Sequence, residues 1–282
     1  MRRKLEELNL LDDFLFQEVI SRGEKGEEVC RIILSTILGR KIRQVKVTPQ
    51  KPFLGLDTER HGIRLDAYLE VKEESADAEV ESDIYDIEPQ KTGRKQMLPR
   101  RTRYYQGMID AKLLMAGKDY TKLRNVCIIV VLPYDPFDKN RMVYTIKSQC
   151  IEDKGVVYED GITKIYLYTK GINGNPSQEL REMLQYMENS VMENVKNQEL
   201  AVIHEYVENI RGDKEVGIQY MKSWEHDEMM REEGQEAAIN LLNALNLKLI
   251  EAGRLEDIKK AATDKEYQQL LIQELGLKGT KE

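Results

Sequence analysis

At 282 residues, 41% hydrophobic and 33% charged, the chain is long enough for one large domain or two ordinary ones with a charge-rich surface. No apolar run approaches the ~20 residues of a membrane span, and the opening MRRKLEELNL carries no apolar leader, so a cytoplasmic protein without a membrane partner is expected. Cys30, Cys127 and Cys150 are scattered and odd in number, and His61, His204 and His226 share no ligand spacing, which argues against a disulfide framework and a zinc site and leaves any metal to carboxylates, hence Mg2+ or Mn2+.

Residues 11–22 and 26–39 show helical apolar spacing, the second ending at a C-capping Gly39. Residues 62–71 (GIRLDAYLEV) alternate as a strand, with Ile63, Leu65, Ala67, Leu69 and Val71 on one face and Arg64, Asp66, Tyr68 and Glu70 on the other. The acidic stretch 72–83 reads as a hairpin loop. A short strand at 84–90 follows, on which Ile84, Asp86, Glu88 and Gln90 share a face. A helix over 98–116 has Pro99 in its first turn. The β-branched run 125–133 reads as a strand buried on both faces, and 142–147 and 163–169 as two shorter strands. This order predicts an α/β or α+β core ending near residue 171.

The loop GINGNPSQ (171–178) marks a boundary, giving two regions, 1–172 and an all-helical 173–282. Within the second, Thr263 and Glu266 have the spacing of a capping box. The apolar stripe at 239–250 needs a partner, either the core or a second copy of the chain; a homodimer through the C-terminal helices is one expectation. Trp224, Met229 and Met230 read as packing residues.

The net charge of −7 is unevenly spread. Residues 91–124 hold ten Lys or Arg against Asp110 and Asp119, whereas 176–282 hold 22 acidic and 13 basic residues. A basic segment beside an acidic tail suits a protein that meets phosphate at one place, unless the basic run is simply a solvated helix face.

Asp66 lies on one strand and Glu88 with Gln90 on the next, where residues i and i+2 point the same way about 6.5–7 Å apart. Paired as a hairpin, the strands set Asp66 across from Glu88, and two carboxylates so close are stable together mainly around a cation. Gln90 can orient water or phosphate but supplies no charge. The same carboxylates would otherwise be ordinary solvated residues on an exposed sheet face.

Along the chain run Asp13-Phe14-Leu15-Phe16, Ile37-Leu38-Gly39, Arg64-Leu65-Asp66, Tyr85-Asp86-Ile87-Glu88-Pro89-Gln90, and Arg101-Thr102-Arg103-Tyr104-Tyr105-Gln106 with Gly117 and Tyr120 beyond it. In this order the motifs resemble those of the PD-(D/E)XK nuclease family transposases, also called Rpn recombination-promoting nucleases. The resemblance implies a restriction-endonuclease-like α/β fold, with a mixed central sheet flanked by helices. It also implies magnesium-dependent DNA cleavage, with Asp66 and Glu88 as metal ligands and Gln90 in the position of the superfamily's lysine. An acidic residue of the N-terminal helices would complete the site, Asp13 first and Glu28 as the fallback. Arg64 is a candidate for the missing charge or for a strand salt bridge. Arg101, Arg103 and Tyr104 are candidates for tracking the DNA backbone. Pro89, lacking an N–H, suits an edge or a strand end.

Three functional expectations follow: a DNA endonuclease tied to mobile elements, a weak or inactive descendant that binds DNA or a partner through its helical tail, and a nuclease held inactive by that acidic tail.

Overall fold

In the computed structural model, which describes residues 3–54, 62–71 and 83–277, six strands form one mixed sheet with helices against it. Helices α1 (Asp13–Ile20) and α2 (Glu24–Leu38) lead into strands β1 (Val45–Phe53), β2 (Ile63–Val71) and β3 (Asp83–Pro89). Helix α3 (Leu98–Leu113) crosses to β4 (Val126–Leu132), and β5 (Val143–Ile146) and β6 (Ile162–Tyr168) complete the sheet. The spatial order is β1-β2-β3-β4-β6-β5. The pairs β1–β2, β2–β3 and β5–β6 are antiparallel, and β3–β4 and β4–β6 are parallel. This is the mixed central sheet flanked by helices that the resemblance implied. The predicted hairpin loop at 72–83 lies, Asp83 apart, outside the described residues.

Strand β4 is buried at every position, as its unbroken apolar run requires. Helix α3 packs Leu98, Met108 and Ile109 against Tyr68, Ile84, Val126, Ile128, Val130 and Tyr166. Tyr68, on the predicted polar side of β2, is therefore fully buried. Gly39 caps α2 in the left-handed region (φ 63°), as its sequence position predicts. Strand β1 was hidden from the pattern by Pro49 and Pro52, which an edge strand tolerates.

Helices α4 (Gln178–Glu188) and α5 (Gln198–Arg211) pack beside α1 and α2. Leu11 N–H donates to Met187 O (3.0 Å), and Tyr206 Oη to Glu28 (2.7 Å). The contact boundary between compact units accordingly falls at residue 217, not at the end of the sheet.

The second unit, 218–282, contains most of α6 (Lys214–Glu251), α7 (Leu255–Thr263) and α8 (Lys265–Glu274). Within the apolar stripe at 239–250, Leu245 and Leu249 are buried with Ala261 and Leu271 of the chain's own α7–α8 hairpin, while Ile239, Leu247 and Ile250 stay exposed. The α8 cap is Asp264, which accepts from Glu266 and Tyr267 N–H (both 3.0 Å). Thr263 is instead the last residue of α7, so the predicted Thr263–Glu266 box does not form. Met229 and Met230, expected to pack, are about half exposed. The cysteines are free thiols; Cys30 and Cys127 are buried and Cys150 half-buried. Among the described residues no helix is long and apolar enough to cross a membrane.

Candidate active site

Strands β2 and β3 pair from Val71↔Asp83 as far as Ala67↔Ile87 and then part, while β3 continues along β4 to Pro89↔Val131. Asp66 sits at the point of divergence. On its other side Gln50, with a left-handed φ of 49°, interrupts the β1–β2 ladder at the same level. Side chains take over the hydrogen bonds of the Asp66 main chain. Its N–H donates to Glu88 Oε1 (3.0 Å), and its carbonyl accepts from Gln17 Nε2 of α1 (3.2 Å). The Asp66 carboxylate accepts from Gln50 Nε2 (3.2 Å). Pro89 stands at the strand end, and the next residue, Gln90, resumes bonding to β4 through Val131 O (2.8 Å).

The Glu88 carboxylate thus reaches the Asp66 main chain, and more charge stands nearby than the strand pattern showed. Burial, then the neighbouring Glu88 and Asp13 carboxyls, push the Asp66 pKa up to about 7. Asp86, two residues before Glu88 on the same strand face, is fully buried. Among the described residues neither of its oxygens has a donor, and the group beside it is the Glu88 carboxyl. A hydrogen bond between them needs one proton. Burial, then Glu88, drives Asp86 well above the usual carboxylate range, so the proton belongs on Asp86. Burial also raises Glu88; the Asp66 N–H, Arg101 and the Asp86 hydrogen bond all pull it back toward its charged form.

Each remaining candidate has a definite place. Asp13 begins α1 on the solvent side; burial first and Asp12 second raise its pKa, and it stands in the field of both Asp66 and Glu88. Glu28 does not join them: it accepts the Tyr206 hydroxyl and lines a separate cavity of about 630 Å3 with Glu24, Arg31 and Arg43. Gln90 is turned away, its amide donating to Thr92 O (2.7 Å) and lying against Gly93, where a Cβ would come within 2.2 Å of Nε2. Arg64 is exposed on β2. Arg103 and Tyr104 are exposed on α3. Arg101, on the same helix, faces inward instead, with Nη2 3.4 Å from Glu88 Oε2 and its guanidinium 5.5 Å from the Tyr105 ring centre. Lys91 reaches Asp12 (2.5 Å), beside Asp13.

Gln17, Gln50 and Asp86 are site residues that the sequence reading passed over. Asp86 had a signal, since it is a carboxylate in step with Glu88 between the apolar Tyr85 and Ile87. Gln50 had none, because its strand was not recognised.

A family model described as PD-(D/E)XK nuclease family transposase matches residues 10–267, which takes in the sheet, the cleft and α6 through α7. The chain belongs to this family. It matches no curated protein and no solved structure. PD-(D/E)XK nucleases generally use divalent metals. Among the described residues no three His, Cys, Asp or Glu side chains are gathered closely enough to enclose an ion. The donor set that does converge, Asp66 with Glu88, fits a hard cation such as Mg2+ that keeps several waters and takes one or two carboxylates. The raised pKa of Asp66 is the strain such a cation would relieve.

Proposed function

We propose that this PD-(D/E)XK family member is a metal-dependent DNA endonuclease that hydrolyses phosphodiester bonds in the setting of mobile elements. The observation that carries the reading is the junction at Asp66. There Glu88 bonds the Asp66 main chain, and mutual repulsion with burial lifts the Asp66 carboxyl to about 7. Two acids held in such conflict are a poor choice for stability and a good one for a cation.

In this reading Asp66 and Glu88 hold Mg2+ or Mn2+, Gln50 fixes the rotation of the Asp66 carboxylate, and Asp13 is the solvent-facing acid that completes the set. A cation held there would polarise the phosphate and favour ionisation of the attacking water. Arg103 and Tyr104, exposed on α3, with Arg64, exposed on β2, are the side chains assigned to the duplex backbone.

The test is cleavage of supercoiled plasmid in Mg2+ or Mn2+ by the intact chain, Asp66→Asn and Glu88→Gln, each checked for folding by circular dichroism. Metal-dependent nicking that falls about 100- to 1,000-fold in both variants supports the reading. A second reading, a DNA-binding descendant with little or no catalysis, is favoured by the Gln90 amide being turned onto Thr92. Metal-supported DNA binding without any nicking by the intact chain would establish it.

A further inference from the structure

Asp13, Asp66, Asp86 and Glu88 act on one another electrostatically, yet the residue that the resemblance puts in the superfamily's lysine position is Gln90, whose amide donates to Thr92 O. Charge of the right sign comes from a different element. Arg101 projects from the first turns of α3, and its Nη2 lies 3.4 Å from Glu88 Oε2. Its guanidinium is the cation whose field lowers Asp13, Asp66, Asp86 and Glu88 alike. The 3.4 Å contact is long for a charge-assisted hydrogen bond, and the buried Nε has no acceptor. A guanidinium carries five N–H donors in a rigid fork, and the one hydrogen bond found here leaves most of that capacity unused. The side chain is about a third exposed, so part of it stays within reach of a ligand from solvent. Tyr105 lies against it and limits where the fork can swing.

We propose that Arg101 supplies the positive charge at the scissile phosphate that Gln90 cannot, and that the same side chain guards Glu88 while the cleft is empty. This rests on the endonuclease reading above. In the empty cleft Arg101 neutralises Glu88. With a phosphodiester present, its free N–H groups donate to the non-bridging oxygens, where negative charge grows as water attacks. The position also sets up a competition, since a cation binding at Glu88 must share that carboxylate with the guanidinium. The lysine's role has thus moved from β3 to α3, across the cleft from where the family pattern puts it.

The experiment compares the intact chain with Arg101→Met and Arg101→Lys, under saturating and sub-saturating plasmid in Mn2+, together with Mn2+ titration by calorimetry in the absence of DNA. Arg101→Met is expected to lose about 100-fold or more in kcat with a smaller change in KM. Arg101→Lys is expected to recover part of that loss. Without DNA, Arg101→Met is expected to bind Mn2+ several-fold more tightly, because the competing cation is gone. A purely structural role would weaken both properties together, and a backbone-tracking role would raise KM alone; either result overturns the proposal. Full cleavage by Arg101→Met would sink the inference and leave the endonuclease standing. No cleavage by the intact chain in any divalent metal would instead bring down the endonuclease reading and, with it, the part of Arg101 in the reaction.

Discussion

Strands β3 and β4 lie side by side at the centre of the sheet, parallel and almost equally buried, and they could hardly differ more in composition. Strand β4 is Val-Cys-Ile-Ile-Val-Val-Leu, with every residue sealed from water. Strand β3 carries Asp86 at 0% exposure and Glu88 at 4%. A position of that kind asks for an apolar side chain, and β4 shows that this sheet can supply one. Two carboxylates there oppose the fold, since burial alone raises the free energy of their charged forms. The neighbouring strands thus separate what the fold needs from what the site needs.

That contrast can be broken experimentally. The largest effect is expected from the apolar strand: Ile129→Ala, at the partner of Ile87, should destabilise the protein by about 2–5 kcal/mol in urea unfolding. Asp86→Asn, at an equally buried position one strand over, should raise the melting temperature, because it removes an acid whose pKa burial drives well upward. If Asp86→Asn proves as damaging as Ile129→Ala, Asp86 is a packing residue and the contrast fails.

A finer effect concerns pH. The Asp66 carboxyl keeps its proton up to about pH 7 in the folded chain, whereas the unfolded chain releases it near 3.8. Between those values the folded state binds the extra proton, so stability falls as pH rises. The expected slope from this group is at most ~1.4 kcal/mol per pH unit, flattening above about 7. The metal-free intact chain should therefore lose stability relative to Asp66→Asn across that window. Millimolar Mn2+ at pH 8 should close the gap. Identical pH profiles for the two proteins would mean that Asp66 is not under the strain described. The smallest effect is expected at Gln90. Its amide faces Thr92, so Gln90→Ala should change kcat by only a few-fold, well short of the loss at Arg101.

How much of this was legible in the sequence depended on whether a signal was local. Alternation over 62–71 placed β2 to within a residue, and the apolar run over 125–133 placed β4 to within a residue at each end. The pairing of Asp66 with Glu88 followed from a hairpin reading of two adjacent strands. Strand β1 escaped because Pro49 and Pro52 erase the usual strand signature, and Gln50 escaped with it. The inward turn of Arg101 was not legible either. The basic run 98–103 looks uniform along the chain, and only packing of Leu98, Met108 and Ile109 on the sheet decides which of its arginines faces a carboxylate. The burial of Leu245 and Leu249 was likewise decided in space, by the short hairpin that follows them.

The proline-bearing strand has one more consequence, for how this protein meets copies of itself. Sheet edges are ready templates for another chain's backbone, and both edges of this one are blunted. Strand β1 offers Pro49 and Pro52, which have no amide hydrogen to give, alongside Lys46 and Lys51. At the far side β5 is only four residues long and partly exposed throughout. A stray strand therefore finds little to zip onto at either margin, which protects a concentrated solution of the protein from growing sheet upon sheet. Any assembly it does form is steered toward side-chain contacts between helices.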